Sequence, residues 1–179
     1  NTDASDREAA SALAVCCRRL QTDQATVAAA DTAGCTPLHY AAMQPMSHSV
    51  KVLLCTPRAV HMNLLVAQDR GGKAALHYAA ERGSASPVEL MIACLQACGN
   101  GTTMPNALAQ TDRVGRTPLH FAARRGKKGE SVTMACLSVA AGAVVTSAGT
   151  ADRSGKTPLH LLAEHSTANC VQACLDVMM

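Results

Sequence analysis

Large rings are scarce in this chain, which has no tryptophan, two tyrosines and one phenylalanine among 179 residues. A core without them has to be assembled from Ala, Leu, Val, Cys and Met, which favours thin layers in close contact. No apolar run approaches the ~18 residues of a membrane-spanning helix, and no basic stretch leads into an apolar segment as a secretory signal would. The expectation is a soluble intracellular chain, cytoplasmic or nuclear, and Asn at position 1 reads as the mark of a piece of a longer protein. Phosphate-cradling glycine loops, Cys-x-x-Cys pairs and recurring nucleophile, base and orienting sets are all missing from the sequence. Carboxylates are few, 13 in all, and four of them fall at one repeated turn position. These absences point away from an enzyme, a cofactor or a metal centre.

What the chain does have is self-similarity. Thr36-Pro37-Leu38-His39-Tyr40-Ala41-Ala42 returns as Ala74-Ala75-Leu76-His77-Tyr78-Ala79-Ala80, as Thr117-Pro118-Leu119-His120-Phe121-Ala122-Ala123 and as Thr157-Pro158-Leu159-His160-Leu161-Leu162-Ala163. Each copy follows an Asp and a Gly at fixed offsets: Asp31 and Gly34, Asp69 and Gly72, Asp112 and Gly115, Asp152 and Gly155. Asp bonds its own turn amides and Gly accepts positive φ, so the pair specifies a tight turn. Thr followed by Pro starts a helix, because Pro at the first helical position gives up no needed donor. Ala74-Ala75 lacks both devices, so that helix is expected to begin less firmly, by about 1 kcal/mol if nothing else caps it. The paired alanines keep one helix face thin enough for a neighbouring backbone to approach.

The pattern Asp-x-x-Gly-x-Thr-Pro-Leu-His-x-Ala-Ala resembles the ankyrin repeat, whose Thr-Pro-Leu-His-x-Ala core it matches over residues 31 to 179. The resemblance implies an all-α repeat solenoid, a stack of helix-turn-helix units with β-turn hairpin fingers and an N-terminal capping helix. It also implies a protein-binding architecture without chemistry of its own. The expected organisation is a disordered tail over 1–8 and a single domain over 9–179, with a cap at 9–30 and repeats at about 31–68, 69–111, 112–151 and 152–179. Successive repeat histidines lie 38, 43 and 40 residues apart, against about 33 for the family. The surplus falls near Gly83–Pro87 and Gly126–Gly129 and, mainly, in enlarged connections at Cys55–Gln68, Leu95–Thr111 and Leu137–Ala151. Those connections are either loops on one face or extensions of the outer helices, which Gly99 and Gly142 would stop.

The histidines stand one repeat apart, too far to share a zinc ion whose ligands sit at ~2 Å. Each is expected to bond turn backbone and tie adjacent repeats. Among the nine cysteines, Cys94, Cys98, Cys136, Cys170 and Cys174 have core spacing in outer-helix patterns and read as small buried hydrophobes, while Cys16-Cys17 and Cys35 are expected to be exposed enough to oxidise.

Removing the scaffold leaves two rows. Tyr40, Tyr78 and Phe121 share the position after the His, and the resemblance puts that position on the concave groove, where an aromatic ring suits an interface; the competing reading packs these rings against neighbouring helices. Arg70, Lys73, Arg113, Arg116, Arg153 and Lys156 fall one and four residues after the finger Asp, and Arg82, Arg124, Arg125, Lys127 and Lys128 follow the inner helices. Eleven of the 16 Lys and Arg lie at these places, although the net charge is only +3. An acidic or phosphorylated protein partner is the leading expectation, set against a merely solvated face. An accessory domain of a larger membrane-associated enzyme, such as an acyltransferase or kinase, or of a channel is the alternative that the resemblance leaves open. Nucleic-acid or anionic-lipid binding is weaker at a pI of about 8.4, below the ~9 expected of a basic nucleic-acid module. The stripe Cys170, Val171, Cys174, Leu175 and Met178 on the final helix suggests self-association through that end.

Overall fold

Each repeat opens on a turn that its aspartate builds. In the computed structural model, which describes residues 28–45, 47–55, 58–98, 107–138, 147–165 and 167–178, Oδ1 of Asp31 accepts from the amides of Ala33 and Cys35 at 2.8 and 2.9 Å. Asp69 holds Gly71 and Lys73, Asp112 holds Val114 and Arg116, and Asp152 holds Ser154 and Lys156 in the same way. Gly34, Gly72, Gly115 and Gly155 close the fingers at φ of +81°, +78°, +84° and +79°, backbone that L side chains resist.

Behind the fingers run the helices. In chain order they are α1 (Pro37–Ala42), α2 (His48–Leu54), α3 (Arg58–Val66), α4 (Ala75–Arg82), α5 (Ala85–Cys98), α6 (Pro118–Arg124), α7 (Glu130–Leu137), α8 (Pro158–His165) and α9 (Ala168–Met178), with a 3-10 turn over Gly126–Gly129. The inner helices α1, α4, α6 and α8 stack side by side, and the outer helices α2, α5, α7 and α9 form a second layer behind them. Ala41-Ala42, Ala79-Ala80 and Ala122-Ala123 are all buried between inner helices, and Leu38, Leu76 and Leu119 fill the space between units. Burying each such leucine contributes about 2 kcal/mol, so this thin-layered core rests on aliphatic contacts rather than rings.

Histidine starts each inner helix and, in the first three repeats, fastens it to the next. Nδ1 of His39, His77 and His120 accepts from the amide of the residue before its helix, each at 3.0 Å. An amide can only donate, so the ring proton sits on Nε2. From there His39 donates to the carbonyl of Lys73 at 3.0 Å, His77 to those of Gln110 and Arg116 at 3.1 and 3.2 Å, and His120 to that of Lys156 at 3.1 Å. The expected loose start at Ala74 is thereby offset, because His77 caps that helix without a threonine. Fingers are joined as well: the amides of Arg70, Arg113 and Arg153 each donate at 2.9 Å to the preceding finger, at the carbonyls of Ala33, Gly71 and Val114.

The fourth repeat uses the same residues against nothing described. His160 is exposed and, among the described residues, keeps only its bonds to Thr157, Ala163 is exposed where its counterparts are fully buried, and a Cβ at Gly155 would meet open space where one at Gly34 or Gly72 would meet the next finger at 3.0 Å.

Parts of the enlarged connections, 99–106 and 139–146, lie outside the described residues, and the described parts differ between repeats. In the second repeat the outer helix α5 extends to Cys98, as the helix-extension reading anticipates. The first connection instead forms a separate helix, α3, whose Leu64 and Leu65 are buried in the core cluster. Ala107-Leu108 and Ser147-Ala148 occupy the same offsets before the next Asp, in short helical turns over 107–109 and 147–149, and are buried too. These segments line the core rather than forming loops on a binding face. The expected tail over 1–8, the cap as far as residue 27 and Cys16-Cys17 lie outside the described residues. Cys35 is buried, not exposed, and burial first, with Asp31 and Asp69 nearby, raises its thiol pKa. Cys136, Cys170 and Cys174 are buried as expected, and burial pushes Cys136 up to about 12.

Candidate partner-binding surface

The residues after the four histidines do not form one exposed stripe. Tyr40 is 51% exposed, Tyr78 is half-buried, and Phe121 and Leu161 are buried at 4% and 5%. The gradient follows from what covers each ring. Lys73 Nζ lies 4.7 Å from the Phe121 centroid and Arg116 Cζ 4.6 Å from it, so Phe121 meets a cation from its own finger and one from the preceding finger. Tyr78 carries Lys73 at 5.0 Å and packs edge-on to His39 at 5.9 Å. Beside Tyr40 the finger position equivalent to Lys73 is Cys35, too short to cover the ring. The expectation that Phe121 faces a partner is therefore corrected: it is a core residue, edge-on to His77 at 5.8 Å.

The tyrosine hydroxyls close the fingers. Tyr40 donates to Asp31 Oδ2 at 2.6 Å and Tyr78 to Asp69 Oδ2 at 2.5 Å. The Tyr40 bond, with the turn amides, lowers the Asp31 pKa. At Asp69 burial pushes upward, but Tyr78 and the amides of Lys73 and Gly71 outweigh it and the net shift is down. Phe121 lacks the hydroxyl, and there Arg116 supplies two bonds to Asp112 Oδ2 at 2.9 and 2.7 Å. Those bonds and the turn amides overcome the burial that would raise the Asp112 pKa.

Basic residues divide by direction. Those four places after the finger Asp are paired with carboxylates: Lys73 on Glu81 at 2.7 Å and Arg116 on Asp112 at 2.7 Å, both half-buried, and Lys156, which is exposed, on Glu164 at 2.8 Å. Arg125 is committed through Nη1 to the Glu81 carbonyl at 2.9 Å, at the carbonyl end of α4. By contrast Arg70, Arg113 and Arg153 at the fingertips, and Arg82, Arg124, Lys127 and Lys128 at the inner-helix ends, are exposed with no ion-pair partner among the described residues. The outward cations thus form two rows flanking the inner helices, each helix about 9–12 Å long.

Along the inner helices, at their basic ends, lie two adjoining depressions. One is lined by Met43, Tyr78, Glu81, Arg82 and Arg125, the other by Glu81, Phe121, Arg124 and Arg125. Met43 and Glu81 escape a reading of the sequence built on charge and aromaticity. The signal for them is register: Met43, Glu81, Arg124 and Glu164 all stand four residues after the repeat histidine, one helical turn beyond the aromatic position.

No group of three His, Cys, Asp or Glu among the described residues is placed to hold a metal ion, and no helix there is long and apolar enough to cross a membrane. A finger, an inner helix and an outer helix, repeated in register with a side-chain-lined face left open, define a repeat solenoid of the protein-interaction class. A family model described as ankyrin repeats, in three copies, matches residues 4–100, and the chain belongs to the ankyrin-repeat family. The copies at Thr117 and Thr157 lie past that match and repeat the same Asp-built turn and histidine-started helix. No curated protein matches the chain. The family is generally one of non-catalytic modules that bind other proteins.

Proposed function

We propose that this chain is a non-catalytic module that holds an acidic protein partner across its inner-helix face, between the fingertip arginines and the basic inner-helix ends. The observation carrying this reading is the division of the basic residues. Lys73, Arg116 and Lys156 are each paired with a carboxylate of their own repeat, whereas Arg70, Arg113, Arg153, Arg82 and Arg124 are exposed without a carboxylate partner among the described residues. Exposed like-signed rows at the edges of a groove steer an oppositely charged partner and fix its register. Met43, Tyr40 and Tyr78 supply apolar area between the rows, as the centre of an interface requires.

The test is selection from a displayed random-peptide library with the chain as bait, at low salt and at 0.5 M salt. Enrichment of acidic sequences that is lost in an Arg82→Glu/Arg124→Glu variant supports the reading. Enrichment of neutral or basic sequences, or acidic enrichment unchanged in the variant, rejects it.

A further inference from the structure

Met43, Glu81, Arg124 and Glu164, each four residues past its repeat histidine, form a row carried by the stacked inner helices. The charge order along this row breaks at one place. Lys73 holds Glu81 at 2.7 Å and Lys156 holds Glu164 at 2.8 Å, so the second and fourth repeats balance their finger cation with the row carboxylate. In the third repeat the equivalent cation, Arg116, turns back to its own Asp112 with two bonds at 2.9 and 2.7 Å. Oδ2 of Asp112 is open to it because position 121 is Phe, which supplies no hydroxyl of the kind that Tyr78 donates to Asp69. Arg116 therefore needs no carboxylate from the row, and the row carries Arg124 there instead. Arg124 is exposed and has no ion-pair partner among the described residues.

One unbalanced cation thus stands between two carboxylates that are already balanced. It lines a depression with Glu81, Phe121 and Arg125, in the furrow between α4 and α6. The other polar groups there are committed, the Glu81 carboxylate to Lys73 and Arg125 to the Glu81 carbonyl, and Phe121 is buried. Arg124 is the group whose charge is left to be met. Glu81 and Glu164 restrict what can meet it. Each of those side chains is 49% exposed, so a phosphate dianion or a run of adjacent acidic residues would bring like charge against them. A single carboxylate, flanked by residues without negative charge, meets the guanidinium in a paired, fork-like contact and avoids that repulsion.

We propose that Arg124 sets the specificity of the inner-helix face by taking one carboxylate side chain of the partner protein, with Glu81 and Glu164 excluding acidic residues on either side of it. The proposal rests on the acidic-partner reading above and deepens it. The rim cations draw the partner in, and Arg124 fixes its register through a single residue.

A charge exchange at this one position tests the assignment. The displayed random-peptide library is selected on the full wild-type chain, on Arg124→Gln and on Arg124→Glu; the side chain is exposed, so both variants are expected to keep the wild-type melt. The wild-type pool should converge on one Asp or Glu whose immediate neighbours are not acidic. The Arg124→Gln pool should lose that preference, and the Arg124→Glu pool should carry Lys or Arg at the same position with the rest of the consensus kept. A synthetic peptide of the wild-type consensus should bind Arg124→Gln about tenfold more weakly in fluorescence anisotropy. Reversal of the selected charge is a result that a structural role alone would not give. An acidic position that persists in the Arg124→Glu pool overturns the assignment and leaves the acidic-partner reading standing, as does a wild-type pool of peptides with adjacent acidic residues. A wild-type pool with no acidic preference removes both readings.

Discussion

His39, His77 and His120 each use both ring nitrogens on backbone, accepting at Nδ1 and donating at Nε2, and this arrangement exists only for the neutral ring. Burial is the first cause that lowers the pKa of His77, to about 4, and burial lowers His120 in the same direction. A depressed folded-state pKa means that the stabilisation is fully present above the unfolded value of ~6.5 and is lost as pH falls through the folded one. For His77 the window runs from about pH 6.5 down to about 4, with at most roughly 3 kcal/mol at stake. Calorimetric melts taken at intervals from pH 7.5 to 4 should therefore drop before the aspartates begin to protonate. A melting temperature that stays flat down to pH 4 would show that His77 and His120 are not held neutral by the stack. At this scale the sequence carries the histidine role plainly, because a polar ring at one repeat position recurs four times while no partner chemistry recurs with it. The aromatic position is less legible. Whether Phe121 reaches solvent depends in part on Lys73 arriving from the preceding finger, far away in sequence, and composition says nothing of that.

Among the elements, the finger is where local chemistry and stacking can be separated. Gly72 and Gly155 have nearly the same φ, +78° and +79°, so an alanine at either site carries the same left-handed strain of about 1–2 kcal/mol. A Cβ at Gly72 would also meet the Arg113 amide at 3.0 Å, whereas one at Gly155 would meet nothing. Gly72→Ala is accordingly expected to destabilise by at least 1 kcal/mol more than Gly155→Ala in urea titration; equal losses would mean that the finger ladder adds no constraint. The turns and inner helices could be read from Asp, Gly, Thr, Pro and Ala at fixed offsets. The connection helices could not be read so directly. Leu64-Leu65, Ala107-Leu108 and Ser147-Ala148 share one offset before the finger Asp, but the pairs differ in polarity and the preceding residues differ in length. The repetition shows only when aligned on the aspartate, and it marks a buried wall where extra length alone suggested exposed loops.

For the whole molecule, stability in a stacked array is a sum of units and of the interfaces between them. Each of the first three repeats delivers a histidine donor and a finger carbonyl to its successor, so fastening runs in one direction along the chain. The fourth receives these contacts from the third without passing them to any described residue, and its own His160, Ala163 and Gly155 stand open. Among the described residues, opening of that unit gives up one interface, whereas opening of the second or third gives up two. Amide exchange should then be graded: fastest in α8, slower in α6 and slowest in α4, with protection in α8 recovered least as temperature is lowered. Uniform protection across the three helices would indicate a single cooperative block. A graded result would mean that the chain frays from one side, so that a ligand gripping Arg153 would also hold closed the unit that otherwise opens first.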